Sequence, residues 1–152
     1  MHLSSDLVPP GTVAALIVEA DGTARGVEED LDQVVEACRA TGAESTWRAS
    51  SAEERDRIWN VRRQTSSALK ATGLVKINHD VVVPKGRVPQ LFEVIAEMKR
   101  TYGLRVASFG HAGDGNIHVN LLLTPGDEDE RSRAKAAETF LFTRVVALEG
   151  SI

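Results

Sequence analysis

The stretch LRVASFGHAGDGNIHVNLLL, residues 104–123, decides how this chain folds. LRVASFG and NIHVNLLL are short runs of strand-forming residues, with Gly113, Asp114, Gly115 and Asn116 at their junction. Glycine adopts positive φ freely, and Asp and Asn tolerate it better than most residues, so the run predicts a hairpin. The glycines are explained by the turn; the imidazoles beside them are not. Two of the chain's four histidines, His111 and His118, flank the bend. Because the chain reverses, His111 ends the first strand and His118 lies near the start of the second, so both rings can reach one end of the sheet. One reading is a wide hairpin with two incidental histidines. The other is a pair of ligands for a divalent ion such as Zn²⁺, which neutral imidazole suits. Two histidines rarely suffice, and no Cys, Asp or Glu in the stretch is placed as a third ligand, since Asp114 sits at the turn tip.

Working outward, VPQLFEVIAEMKRTYG (residues 88–103) carries Leu91, Phe92, Ile95, Met98 and Tyr102 at helical spacing, and Gly103 stops the helix. Before it, LVKINHDVVVP (residues 74–84) reads as a strand ended by Pro84. After the hairpin and the polar loop TPGDEDE, a last helix over about residues 129–148 puts Ala134, Ala137, Leu141, Val145 and Leu148 on one side. The first half reads TVAALIVEADG (residues 12–22) as a buried strand and a turn. A helix follows, with Leu31, Val34, Val35 and Cys38 along one stripe, acids in its first turn and Gly42 at its stop. A short strand is expected over residues 44–48. Ser51 and Glu54 then form a capping-box pattern at the head of a helix striped by Ile58, Val61, Thr65 and Leu69.

The resulting order is β-α-β, then α, then β-α-β-β-α. It predicts an α+β fold of ferredoxin-like character, with duplication of the unit as a variant, in which helices cover one face of a mainly antiparallel sheet. An open doubly wound fold is disfavoured, because no Gly-rich phosphate turn follows a strand and opens a helix. Residues 1–10, with His2, read as a linker or an appended tail, and residues 11–152 as one domain.

At 152 residues, with 42% apolar and 26% charged residues, the composition is that of an ordinary globular protein with enough chain for a core. A net charge of −4 with scattered Lys and Arg argues against a nucleic-acid partner. The single cysteine, Cys38, forms no internal disulfide and is expected as a buried thiol in a reducing compartment. No apolar run approaches a membrane span, and the start lacks the pattern of a signal peptide. A cytoplasmic location is expected, with peripheral attachment at the inner face of the membrane as a variant.

Other polar residues invite two readings each. Arg62 follows the apolar Val61 on its helix: it is either a solvated arginine or a fork that clamps a substrate carboxylate, with Ser66 one turn further along. Lys76, Asn78 and Asp80 share one face of their strand and read as an ordinary polar face; His79 alternates to the other and reads as structural. Asn120, two residues past His118, shares its face and would neighbour any bound substrate.

GHAGDGNIHVN resembles the signature of the C-terminal, substrate-cap domain of FAD-linked oxidases, in the branch of D-lactate dehydrogenases, glycolate oxidase FAD subunits and D-2-hydroxyglutarate dehydrogenases. ALIVEADG is similar to that family's opening cap strand, RIWNVRRQTSSAL to its Trp-x-x-Arg helix, and INHDVVVPKGRVPQLFEVI to its Asp-Val-x-x-Pro element. The resemblance spans about residues 8–152. It implies that His111 and His118 ligate a divalent metal, zinc in many members. It also implies that Arg62 binds the substrate carboxylate, with Ser66 near a hydroxyl contact, and that Asn120 touches the substrate. The family's lysine before the Asp-Val-x-x-Pro element falls nearer to Asn78 than to Lys76.

The departures are equally specific. Family members carry an N-terminal FAD-binding domain and continue past GGSIS into a Glu-His-Gly segment. That Glu is the third metal ligand and that His the general base. This sequence ends at EGSI, with Glu149 where the family has Gly, and is expected to be truncated there. The expectation is a piece of a flavin-dependent D-2-hydroxyacid dehydrogenase or oxidase that supplies substrate- and metal-binding groups. It would have no catalytic residue of its own and would be inactive alone. Its partners would be a small 2-hydroxyacid and the FAD-binding domain of the same protein, with a homo-oligomer left open. The alternative is a stand-alone ferredoxin-like module that binds a small molecule or a metal without catalysis.

Overall fold

A computed structural model describes residues 7–152, so the reading of residues 1–6 as tail lies outside the described residues. The chain divides into two units, residues 1–68 and 69–152. The elements are helices α1 (Ala24–Ala40) and α2 (Ala52–Ala71), strand β1 (Val75–Val82), a 3₁₀ turn (Lys85–Arg87), helix α3 (Val88–Tyr102), strands β2 (Arg105–His111) and β3 (Asn116–Leu123), and helix α4 (Glu128–Ala147). The class is α+β: among the described residues there are four α-helices and one three-stranded antiparallel sheet.

In the first unit two expectations fail. Residues 12–22 and 44–48 form no strand, and Val13 is fully exposed and Leu16 68% exposed. A run of strand-forming residues becomes a strand only where a neighbour takes up its backbone hydrogen bonds, and neither stretch has one among the described residues. Without those strands the unit is not duplicated. Helix α1 begins earlier than expected, with the Thr23 side chain accepting from Gly26 N at 3.2 Å, so the acids fall beyond its first turn. Its stripe, Leu31, Val34, Val35 and Cys38, is half-buried throughout; Cys38 is a partly exposed thiol, not a core one. At the head of α2, Ser51 Oγ accepts from Glu54 N at 3.2 Å as the capping box requires. The return bond shifts by one residue: Glu54 accepts from Ser50 N and Ser50 Oγ, each at 2.7 Å. These bonds hold the Glu54 carboxyl below its usual pKa, the backbone one foremost.

The second unit holds the buried core. Strand β3 is central, in the order β1-β3-β2, and both of its neighbours run antiparallel to it. Val81, Ile117, Val119, Leu121 and Leu123 are buried on the face covered by α3 and α4. Helix α3 contributes Val88, Leu91, Val94, Ile95 and Met98; Phe92, expected on that face, is 43% exposed. Helix α4 contributes Ala134, Ala137, Leu141 and Val145. Burying each large side chain contributes about 1.5–3 kcal/mol, so this face anchors the unit. Asp127 caps α4 by accepting from Glu130 N at 2.8 Å. Glu130 in turn accepts from Thr124 N at 2.5 Å and from Arg105 at 2.8 Å, which binds the helix start to the strand end before it.

Candidate functional site

The register of the sheet assigns each polar strand residue to a face. Cross-strand partners share a face, and so do residues two apart along a strand. Four rows therefore lie on the side of the sheet away from α3 and α4. They are Val82, Asn116 and His111; Asp80, His118 and Phe109; Asn78, Asn120 and Ala107; and Lys76, Leu122 and Arg105. His111 and His118 fall on this one face, at diagonal positions on β2 and β3. Such positions are about 7–8 Å apart along the backbone, within reach of long side chains. The hairpin places them as the sequence predicts: β2 ends at His111 and β3 starts at Asn116.

The turn between them is fixed by a few bonds. Asp114 N donates to His111 O at 3.2 Å, and Asp114 Oδ1 accepts from Asn116 N at 3.0 Å. The Asp114 carboxylate is thus part of the turn. Gly115 has φ 80° and no room for a Cβ, which would sit 1.9 Å from Val83 O. Gly113 stays out of the positive-φ region, so one glycine is required for its φ, not two.

His118 is held from both neighbouring strands. Its Nδ1 hydrogen-bonds Asp80 Oδ1, its register partner on β1. The Phe109 ring, its partner on β2, stands 5.5 Å from it between centroids. Asp80 Oδ1 also accepts from Asn78 Nδ2 at 2.8 Å. The bond to His118, then that to Asn78, hold the Asp80 carboxyl below its usual pKa and outweigh desolvation. Asp80 is the residue that strand pattern alone missed. Its face was legible from alternation, but its partner depends on which strand lies beside β1 and in what register.

Asn120 is fully buried. Its Nδ2 donates to Ala107 O at 3.0 Å and to His118 O at 3.3 Å, while its Oδ1 has no hydrogen-bond partner among the described residues. A buried orphan acceptor of this kind is destabilising unless a ligand or water supplies a donor. His79 faces the core. Its ring meets Phe142 edge-on, and its Nε2 lies 3.5 Å from Glu138 Oε2 without a hydrogen bond among the described residues. Arg62 and Ser66 lie one turn apart on α2, in the first unit, and both are half-buried.

A divalent cation on this face would meet imidazole donors. His118, with Nδ1 engaged by a carboxylate, has the arrangement found at metal-ligating histidines, where the second nitrogen binds the ion. His111 is exposed on the same face. Among the described residues no group of three His, Cys, Asp or Glu could hold a metal. The face thus carries two imidazoles and no complete donor set among those residues. Among the same residues no helix is long and apolar enough to cross a membrane.

Relatives bear on this geometry. The glycolate oxidase subunit GlcD of Bacillus subtilis is 30% identical over 145 residues, covering 95% of this chain and 31% of that protein. The GlcD subunit of Escherichia coli K12 is 32% identical over 147 residues, covering 95% and 29%. A probable mitochondrial D-lactate dehydrogenase of Danio rerio is 31% identical over 141 residues, covering 90% and 28%. The chain thus spans about three tenths of the length of these relatives. The family model for the C-terminal domain of FAD linked oxidases matches residues 2–152, and the chain belongs to that family.

Proposed function

We propose that this chain supplies the substrate- and metal-binding face of a flavin-dependent dehydrogenase or oxidase for small D-2-hydroxyacids, of the D-lactate or glycolate class. The observation that carries the reading is the register of β2 and β3, which puts His111, His118 and Asn120 on one face, with the buried Asn120 Oδ1 lacking a donor among the described residues. His111 and His118 would hold a divalent cation, zinc by the preference of neutral imidazole. When bound, such an ion supplies Lewis-acid polarisation of the 2-hydroxyl, and FAD, held mainly by a domain outside this chain, supplies the redox chemistry.

The chain's own residues bind and orient. Asn120 Oδ1 accepts from the substrate hydroxyl, which satisfies the orphan. Arg62 clamps the carboxylate with its planar fork, and Ser66 adds a hydroxyl contact. By fixing the hydroxyl end of a small acid, Asn120 helps set the direction of its C2–H bond, and such orientation is worth several kcal/mol of barrier. The finer fold reading is ferredoxin-like. It is supported by the element order β1-α3-β2-β3-α4 and by Ser151, which pairs with Val82 on the outer edge of β1, where the fourth strand of that fold lies.

Calorimetric titration with zinc tests the site. The chain should bind the ion weakly, and His118→Ala or His111→Ala should abolish the heat. Identical isotherms for the wild type and both variants would remove the histidines from the ligand set.

A further inference from the structure

We infer that Asp80 is the positioning residue of His118: it fixes the ring proton on Nδ1 and leaves Nε2 bare on the face that carries His111 and Asn120. The inference rests on the metal- and substrate-binding reading for what Nε2 meets, and on geometry for everything else.

Three observations carry it. First, Asp80 and His118 are direct register partners on β1 and β3, and Asp80 Oδ1 hydrogen-bonds His118 Nδ1. A carboxylate accepts only, so the shared proton belongs to the ring nitrogen. Second, the carboxylate is itself held, because Oδ1 also accepts from Asn78 Nδ2 at 2.8 Å. Two donors on one oxygen favour the ionised form. Third, the Phe109 ring, 5.5 Å away between centroids, limits rotation of the His118 ring from the β2 side. With Nδ1 protonated, a neutral imidazole has its lone pair on Nε2. A free histidine in water favours the opposite tautomer, with the proton on Nε2, so the preference here comes from Asp80. Asn78 has a part of its own: it keeps the Asp80 carboxylate facing the ring.

The consequence is pre-organisation. A ligand whose tautomer and ring plane are already set loses less freedom when it takes up a cation, and outer carboxylates of this kind contribute about 10–100-fold in metal affinity. Without Asp80 the ring turns and its lone pair moves to the wrong nitrogen for half or more of the time.

The test reads the tautomer directly. Long-range ¹H–¹⁵N spectra of the full chain, recorded without metal at a pH where His118 is neutral, distinguish a protonated from a bare ring nitrogen. The wild type should show His118 protonated at Nδ1. Asp80→Ala should shift the population to the Nε2 proton. Asp80→Asn, which keeps the shape but can offer an amide N–H to Nδ1, should shift the population toward the Nε2 proton as well, and its wild-type-like backbone spectrum guards against a merely misfolded variant. A wild-type ring protonated at Nε2, or one unchanged in Asp80→Ala, overturns the inference. Zinc titration of the same samples separates it from the metal reading. A 10–100-fold weaker affinity in Asp80→Ala is expected. If the wild type binds no zinc while the tautomer follows Asp80, the metal reading fails and the positioning role stands.

Discussion

Glu149 has φ 63° and is the one non-glycine residue with positive φ among the described residues. Where this chain has Glu149 the resembling family has glycine, and the backbone supplies a reason for the glycine. A side chain with a Cβ in the left-handed region costs about 1–2 kcal/mol, which glycine avoids, partly offset by the greater freedom of glycine in the unfolded chain. Glu149→Gly is therefore expected to stabilise the chain, raising the melting temperature by about 2–4 °C. Thermal unfolding followed by circular dichroism checks it, and an unchanged or lower midpoint contradicts the strain. At this scale the sequence was legible in part. Alternation puts His118 and Asn120 on one face and the reversal of the chain brings His111 to the same end of the sheet; the register agrees and adds His111 to that face. Asp80 was read as an ordinary polar residue, because nothing within its own strand says that His118 lies beside it.

Among the elements, the hairpin depends on one glycine. Gly115 needs positive φ and has Val83 O where a Cβ would go, whereas Gly113 has negative φ and open space around it. Gly115→Ala should cost at least about 2 kcal/mol, and Gly113→Ala should stay within about 0.5 kcal/mol of the wild type. Urea denaturation of the two variants decides; equal midpoints would mean that the turn is not held as described. Helices α3 and α4 were legible because a long apolar period is hard to satisfy in any other way, and Gly103 and Asp127 mark their ends. The strands of the first half were not. The run TVAALIVEA has strand composition, but a strand exists only with a partner for its N–H and C=O groups, and composition carries no information about partners. Phe92 shows the same gap at smaller scale: its spacing fits the buried stripe of α3, yet Val88 and Val94 fill that face and leave Phe92 at its rim.

For the whole molecule, the sheet has two faces with different tasks. One, under α3 and α4, is apolar and carries the stability of the second unit. The other carries two imidazoles, a fully buried amide and an aspartate bonded to one of the rings. Antiparallel strands permit this division because successive side chains alternate between faces, so residues of the site and of the core are interleaved along β3. Changing Val119 or Leu121 would disturb His118 and Asn120 through the backbone. Arg62 and Ser66 belong to the first unit, and their part in substrate binding is a separate claim. For the sheet alone, the proposed ligands of a divalent cation are His111 and His118, on the face opposite α3 and α4. The most direct measurement is site-resolved NMR of the chain titrated with Mn²⁺, whose unpaired electrons broaden the signals of nearby nuclei. Signals of His111, His118 and Asn120 should vanish first and return on chelation, while those of Leu91 and Leu141 in the covered core persist. Broadening centred elsewhere, or spread evenly over the chain, would contradict the account.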